Sequence, residues 1–211
     1  MSVKGFAPRI LVAVTTSSFS AAAHDDLEQR LLDAAERLFY SRGVQAVGVD
    51  ALVAEAGVGT KTLYARFGSK DGLVEAYLRR RDQRWLDWLR SQVSAAEPGR
   101  ARVLAVFEAL GSWFADPGFH GCAFINVAGE LVDDPLVRCV AHDHKRALRS
   151  LLHDVAHQAG APDPAFGDHL MLLVEGAIVT AHVEGDTDAA RKACVAATAL
   201  LEPHATGVHA P

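Results

Sequence analysis

The sequence predicts an all-α fold. Apolar residues recur at steps of three and four along most of the 211 residues, which is the spacing of one face of a helix. Breaks rich in glycine and proline, such as Pro98-Gly99 and Pro117-Gly118, separate these stretches. No run of alternating β-branched residues, the pattern of a half-buried strand, occurs in the sequence. We therefore expect a small N-terminal unit of three helices followed by a larger helical domain.

The first amphipathic helix is predicted from Asp25 to Ser41 and ends before Gly43. Its apolar positions share one face: Leu27, Leu31, Leu32, Ala35, Leu38 and Phe39. We expect this face to pack behind the two helices that follow and to hold them at a fixed angle.

Two short helices joined by a glycine corner come next. The first is predicted from Asp50 to Ala56 and the second from about Thr60 to Phe67, with Gly57-Val58-Gly59 between them. Gly57 supplies the backbone freedom that the end of the first helix requires. This arrangement is a helix-turn-helix, a motif that places its second helix in a groove of DNA.

The outer face of the second short helix carries hydroxyls and cations without a carboxylate, a combination that suits phosphates and base edges. Ser69 is predicted to cap the third helix, which puts Lys70 at the positive end of that helix dipole. We expect Thr60, Lys61 and Arg66 to contact base edges or adjacent phosphates, and Thr62, Tyr64 and Lys70 to anchor the DNA backbone.

The segment from Leu27 to Leu78 resembles the DNA-binding domain of the TetR (tetracycline-repressor-like) family of bacterial transcriptional regulators. The resemblance rests on AAERLFYSRG and on AGVGTKTLYARFGSKDGL, in which AGV, TLY, F and SK stand at the family's offsets. The chain departs at Gly48, where the family usually places a Thr or Ser that caps the helix and touches a phosphate. Gly59 and Ala65 are also shorter than the residues that relatives often carry. The resemblance implies a transcriptional regulator that responds to a small-molecule effector.

Charge is unevenly distributed along the chain, whose formal net charge is −5. Residues 57–90 contain eight Lys or Arg against four acids, whereas residues 96–211 contain eight against fifteen. A basic DNA-binding unit joined to an acidic body fits this pattern. The Arg79-Arg80-Arg81 run within the basic part has two interpretations, a solvated face or a secondary phosphate contact.

Residues 1–24 are expected to form a flexible N-terminal arm. The apolar run that follows Lys4 and Arg9 has five residues, fewer than the roughly 7–15 of a secretion signal. Two alternatives stay open: translation from an early start codon, or an arm that brings Lys4 and Arg9 to the minor groove. We assign residues 25–72 to the DNA-binding domain and residues 73–205 to an effector-binding and dimerisation domain.

The third helix is predicted to run from Ser69 to about Ala95, long enough to leave the small domain and enter the larger one. Beyond Glu97-Pro98-Gly99 the pattern predicts five more helices, over residues 103–115, 120–132, 136–159, 165–184 and 188–201. The last two are rich in small and apolar residues, so we expect them to form a two-fold interface in a homodimer. A monomer that buries these residues in its own core is the alternative.

Aromatic and flexible apolar residues concentrate in the larger domain, which predicts an apolar cavity with few polar groups. The candidate lining residues are Phe107, Trp113, Phe114, Phe124, Asn126, Glu130, Met171 and Glu175. Glu175 is the most informative of them, because a carboxylate within LLVEGAIV is costly to bury without a partner. The expected ligand is a small apolar or amphipathic effector; the alternative is a packed core.

Other kinds of site have weaker support. His153 and His157 share a helical face and could bind one ion, but no third ligand follows at a recognisable spacing, so no metal or cofactor is expected. Cys122 could be a redox switch, but the sequence shows no neighbouring cation or resolving cysteine, so a buried, inert thiol is expected. Three widely spaced cysteines indicate a reducing cytoplasm, and no apolar run approaches a membrane span.

We therefore expect a cytoplasmic regulator that binds a palindromic DNA operator as a homodimer and is released by its effector. No catalytic motif is recognisable in the sequence. Two alternatives remain: a small-molecule-binding helical enzyme that uses Glu130 or Glu175 with a histidine, and an architectural DNA-binding protein without sequence preference.

Overall fold

The computed structural model describes residues 16–161 and 163–202, with side chains from residue 25 onward. This part of the chain is all-α and contains no strand, as the sequence predicts. The helices are α1 Thr16–Arg42, α2 Val49–Ala56, α3 Thr60–Phe67, α4 Lys70–Ser94, α5 Arg100–Phe114, α6 Ala123–Glu130, α7 Pro135–Gln158, α8 Phe166–Glu184 and α9 Ala189–Leu201.

Helix α1 begins at Thr16, earlier than the predicted start at Asp25. Residues 16–24 of the expected flexible arm are therefore helical, and residues 1–15, with Lys4 and Arg9, lie outside the described residues. The buried face of α1 agrees with the predicted pattern and includes Leu31, Leu32, Leu38 and Phe39.

The turn between α2 and α3 depends on Gly57, which adopts a φ of +62°. A Cβ at this position would also come within 2.6 Å of Arg30 Nη2, which donates a 2.8 Å hydrogen bond to the Gly57 carbonyl. Leu52 of α2 and Leu63 of α3 are fully buried against α1 and α4. These contacts fix α3 on the surface of the three-helix unit.

Helix α4 links the three-helix unit to the rest of the protein. Ser69 caps its first turn by accepting a 3.0 Å hydrogen bond from the Gly72 N–H. Leu73 and Tyr77 near its start are buried with the N-terminal helices, whereas Leu86 and Leu89 near its end are buried in the larger core. Helix α4 therefore contributes buried residues to both parts of the protein, which share one continuous apolar cluster, because its apolar stripe continues along its whole length.

The larger core is formed by α5, α7, α8 and α9. Helix α8 packs between α7 and α9, and α9 also packs on α5. By length and composition alone α8 could cross a membrane, yet 44% of its apolar window is buried inside the protein. Large apolar residues on the outer faces of α8 and α9 remain exposed, namely Leu172, Val179, Val183, Val195 and Leu200.

Candidate nucleic-acid interface and ligand cavities

Helix α3 carries the predicted DNA-contacting residues on one solvent-facing side. Thr60, Lys61 and Tyr64 are exposed, and Thr62 and Arg66 are partly exposed. No side-chain hydrogen bond or ion pair occupies these five residues within the part of the chain that the structure describes. Their donors are thus available to an outside partner, and the carboxylate-free surface would attract phosphate.

Lys70 differs from the other predicted DNA contacts because its ammonium already has a partner. Its Nζ donates a 2.6 Å hydrogen bond to the Val44 carbonyl and lies 5.9 Å from the centre of the Phe39 ring. An ammonium has three donors, so two remain for a phosphate. Lys70 therefore has a structural contact that the sequence did not reveal, and its role on DNA stays a prediction.

Within the arginine run on α4, Arg79 fits the solvated-face interpretation, because its side chain is 56% exposed and pairs with Glu75 at 2.8 Å. Its two neighbours fit neither interpretation offered by the sequence. Arg80 pairs with Asp33 at 2.8 Å and with Glu36 at 3.1 Å, and Arg81 pairs with Glu36 at 2.9 Å. The side chains of Arg80 and Arg81 are only 12% exposed. They are neither solvated nor presented to DNA, because α1 supplies carboxylates directly opposite them.

The predicted interior cavity is almost closed. Trp113, Phe124 and Glu175 do meet around a space of about 10 Å³, together with Trp85, Cys122, His144 and Lys145. This volume holds about one water molecule at most. The aromatic residues therefore form packed core in this conformation, which is the alternative that the sequence analysis left open.

Five of the predicted cavity residues do not line this space. Phe107, Phe114 and Met171 are buried in the apolar core. Asn126 Nδ2 donates a 2.8 Å hydrogen bond to the His120 carbonyl and so closes the loop before α6. Glu130 faces the N-terminal unit instead, where its carboxylate accepts hydrogen bonds from the loop between α1 and α2.

Glu175 has the partner that its position demands. Lys145 Nζ of α7 lies 2.6 and 2.7 Å from its two carboxylate oxygens, and the two side chains are 25% and 22% exposed. The same Nζ lies 3.4 Å from Cys122 Sγ. The expectation that Cys122 has no neighbouring cation is therefore wrong, because Lys145 reaches it from a helix 23 residues further along the chain.

His144 is a buried polar residue that the sequence did not single out. Its ring stacks on Phe124 at a centroid distance of 3.8 Å, and Nδ1 lies 2.7 Å from Asp82 Oδ1 on α4. Burial lowers the pKa of His144, against the opposing effect of the Asp82 hydrogen bond. This contact connects α7 to α4, the helix that joins the N-terminal unit to the larger domain.

Two groups join the larger domain to the N-terminal unit. Glu130, at the end of α6, accepts hydrogen bonds from the backbone N–H groups of Val44 at 3.1 Å and Gln45 at 2.8 Å. The Tyr40 hydroxyl donates to the Gly121 carbonyl at 2.8 Å and accepts from the His120 N–H at 3.0 Å. Burial raises the pKa of Tyr40, so its hydroxyl keeps the proton that it donates.

A larger cavity opens beside the closed one, between α4, α5 and α1. Its volume is about 360 Å³, and its walls are Glu36, Arg81, Arg84, Trp85, Trp88, Ser112, Trp113 and Asp116. Of these only Trp113 was predicted. Arg81, Trp85 and Trp88 follow one another at steps of four and three, which places them on one face of α4. This spacing could have predicted the wall of the cavity from the sequence.

His153, one of the two histidines considered for a metal site, contacts a carboxylate instead. His153 Nε2 lies 3.2 Å from Asp168 Oδ1, and the hydrogen bond from His153, with one from Arg149, holds the pKa of Asp168 below its usual range. Over residues 16–161 and 163–202, no group of three His, Cys, Asp or Glu side chains is placed to hold an ion.

Comparison with known proteins agrees with this architecture. The family model described as "Bacterial regulatory proteins, tetR family" matches residues 31–77. The crystal structure of SCO4454, a TetR-family transcriptional regulator from Streptomyces coelicolor, is 31% identical and matches 84% of this chain and 95% of that chain, with a TM-score of 0.73. This protein belongs to the TetR family.

Curated relatives match this TetR-family protein over shorter segments. The transcriptional activator FasR of Mycolicibacterium smegmatis is 34% identical over 86 residues, which are 41% of this chain and 39% of FasR. The transcriptional repressor ComR of Escherichia coli is 33% identical over 105 residues, which are 49% of this chain and 50% of ComR. The chain therefore spans half or less of the length of these relatives. As a TetR-family protein it has the fold of a DNA-binding transcriptional regulator, with α3 as the second helix of its helix-turn-helix.

Proposed function

We propose that this protein is a sequence-specific repressor, which binds a palindromic operator as a homodimer and is released by a small-molecule effector. The observation that carries the proposal is the outer face of α3, where cationic and hydroxyl side chains face solvent without a carboxylate on the helix and without a side-chain partner among the described residues. A buried helix-turn-helix core holds this face in place. The protein would act in the cytoplasm, where the DNA is.

On the operator, Thr60, Lys61 and Arg66 would contact base edges or adjacent phosphates. Arg66 is the strongest candidate for reading a guanine, because its planar guanidinium can donate two parallel hydrogen bonds. Thr62, Tyr64 and Lys70 would hold the backbone, which fixes the position of α3 without reading sequence. Gly48 and Gly59 are the N-cap residues of α2 and α3 and have no side chain that could contact a phosphate. The phosphate contacts would therefore come from Thr62, Tyr64 and Lys70.

The exposed apolar faces of α8 and α9 support the homodimer. Leu172, Val179 and Val183 lie on one side of α8 and are 71%, 47% and 73% exposed. Apolar side chains at such spacing are costly to leave in water, and a second copy of the same face would cover them. The two α3 helices would then meet half-sites about 34–36 Å apart on one side of the DNA.

Release by an effector requires that the larger domain biases the position of α3. Two connections support such coupling: α4 packs on α1 and α3 as well as on α5 and α7, and α6 is joined to the α1–α2 loop through Glu130. An effector that favours a different packing of α4 or α6 would change the distance between the two α3 helices.

The proposal is tested with the double variant Lys61→Ala/Arg66→Ala. DNA sites are first selected from random sequences, and binding to the best site and to a scrambled site is then measured by fluorescence anisotropy. We expect the double variant to lose on the order of 100-fold in affinity for the selected site and to lose discrimination against the scrambled one. The matched control is Arg90→Ala, because Arg90 is an exposed arginine of α4, paired with Asp87. If both variants bind the selected DNA as tightly as the native protein does, these side chains of α3 do not contribute to DNA binding.

A further inference from the structure

The cavity between α4, α5 and α1 has an unusual aromatic wall. Trp85, Trp88 and Trp113, the three tryptophans of the chain, all line it. Their ring centroids are 6.0, 5.5 and 6.5 Å apart pairwise, within the usual range of aromatic contacts. The cavity volume of about 360 Å³ lies in the range of small-molecule sites. The wall suits a flat ring, which would add one more aromatic contact to this group.

The polar side of the same cavity is rich in unused donors. Glu36 is the acceptor for three guanidinium groups: its Oε1 accepts from Arg81, and its Oε2 accepts from Arg80 and from Arg84 at 3.2 Å. Arg80 also pairs with Asp33. Arg81 and Arg84, however, share the single carboxylate of Glu36 within the described residues, and each guanidinium has five N–H donors, so most of the donors of these two arginines are unmatched. Arg84 is also 59% exposed and faces the opening.

Two buried donors nearby have no partner at all within the described residues. They are the indole Nε1 of Trp85, which lines the cavity, and the Nε of Arg80, which does not line it but shares Glu36 with Arg81 and Arg84. A buried donor without an acceptor is costly, and such groups are commonly satisfied by a water or a ligand. The second carboxylate of the cavity wall, Asp116, is exposed and accepts a 2.6 Å hydrogen bond from the Gly118 N–H, and within the described residues it bonds to neither of these two donors.

We infer that this cavity binds a small planar aromatic carboxylate, with its ring among the three indoles and its carboxylate on Arg84 and Arg81. The shape of the wall selects the ring, and the surplus of donors over acceptors selects the anion. A neutral or cationic ligand of the same shape would leave these donors unmatched.

The ligand would compete with Glu36 for the arginines of α4. Glu36 belongs to α1, so this competition would weaken the ion pairs between the N-terminal unit and the link helix. The regulatory part of this inference rests on the proposed function, whereas the binding part does not. The effector of the proposed repressor would then be an aromatic carboxylate.

The binding test uses three probes of one shape and different charge: cinnamate, cinnamamide and cinnamylammonium. Each is titrated into the full-length protein by calorimetry, and quenching of tryptophan emission is followed in parallel, since all three tryptophans line the cavity. We expect saturable binding of cinnamate, on the order of tenfold tighter than cinnamamide, because charge-assisted hydrogen bonds are stronger than neutral ones. Equal affinity for all three probes, a preference for cinnamylammonium, or no saturable binding would overturn the inference.

Two variants assign the binding to this cavity. Arg84→Gln should weaken cinnamate binding by about tenfold and leave cinnamamide unchanged, because it removes one charge-assisted contact. Arg90→Gln changes a similarly exposed arginine two turns further along α4 and should have no effect on either probe. Loss of cinnamate affinity in both variants alike would show non-specific attraction of the anion and overturn the assignment.

The regulatory part is tested separately, by measuring the affinity for selected DNA with and without saturating cinnamate. We expect cinnamate to weaken DNA binding in the native protein but not in Arg84→Gln at the same probe concentration. If cinnamate binds as expected and DNA affinity is unchanged, the effector role is wrong and the binding site stands. If the protein binds no DNA at all, the proposed function fails, and the calorimetry still decides the binding site.

Discussion

The Glu130 carboxylate accepts a hydrogen bond from the backbone N–H of Val44, 86 residues earlier in the chain, at 3.1 Å. Its other oxygen accepts from the next N–H, that of Gln45, at 2.8 Å. The Val44 carbonyl in turn accepts from Lys70 Nζ at 2.6 Å. The loop between α1 and α2 is therefore held from two sides, by the last turn of α6 and by the first turn of α4.

Replacement of Glu130 tests whether this contact stabilises the protein. We expect Glu130→Ala to lower the free energy of unfolding by about 2 kcal/mol, because the N–H of buried Val44 loses its acceptor. Glu130→Gln keeps one acceptor oxygen and should lose about half as much. Urea denaturation measures both values. The control is Glu97→Ala, an exposed position near the end of α4, and a loss equal to that of the control would contradict the assigned role.

Lys70 should contribute both to stability and to DNA affinity. We expect Lys70→Ala to destabilise the fold by about 1 kcal/mol, through loss of the hydrogen bond to Val44. If Lys70 also contacts a phosphate, the slope of log affinity against log salt should fall by about 0.9. Thermal unfolding and salt-dependent anisotropy separate the two effects. An unchanged slope with reduced stability would leave Lys70 a purely structural residue.

His144 should make stability depend on pH. Because burial lowers its pKa below the ordinary value of 6.5, the unfolded chain binds more protons than the folded protein between these two values. This contribution to stability is therefore complete above pH 6.5 and is lost as the pH falls from 6.5 through the lowered pKa of the folded state.

The variant His144→Gln should flatten this dependence, since its amide can still donate to Asp82 but does not titrate. It should also be less stable at neutral pH by about 1 kcal/mol, through loss of the stacking contact with Phe124. His142→Gln, on the exposed side of α7, is the control. Urea denaturation over a range of pH measures both, and parallel curves for the native protein and His144→Gln would show that His144 has no such role.

The outer face of α8 should form the dimer interface. We expect the double variant Leu172→Glu/Val183→Glu to be a folded monomer. A two-fold interface, of roughly 1,200–2,000 Å² in stable complexes, brings the same face of both copies together, so the introduced carboxylates would repel each other. Val132→Glu changes a residue that is 63% exposed outside this face, and it should remain dimeric. Light scattering after gel filtration gives the mass of each variant. A dimer of unchanged strength in the double variant would place the interface elsewhere.

The features that the sequence predicts well are local ones. The buried face of α1 and the apolar stripe of α4 follow from residue spacing alone. Gly57 marks the turn after α2 because the chain there takes the left-handed backbone conformation, which glycine adopts without steric cost. The solvent-facing side of α3 follows in the same way, since its eight residues leave one apolar position, Leu63, fully buried.

The features that the sequence does not predict depend on distant partners. Glu130 was expected to line a ligand cavity, but its position at the end of a short helix brings it to a loop 86 residues away. Arg80 and Arg81 were expected on the surface, and α1 covers them with carboxylates. Lys145 reaches both Glu175 and Cys122, a meeting of three helical regions that no spacing within one helix indicates.

Selection from random-sequence DNA at near-physiological salt shows whether the protein reads DNA sequence as a dimer. We expect enrichment of a palindrome whose half-sites lie about one helical turn apart, 10–10.5 base pairs from centre to centre or a multiple of this. The same selection with Lys61→Ala/Arg66→Ala should enrich no sequence. Failure of the native, folded protein to enrich any sequence, or enrichment of the same palindrome by the double variant, would show that the protein does not read DNA sequence through α3.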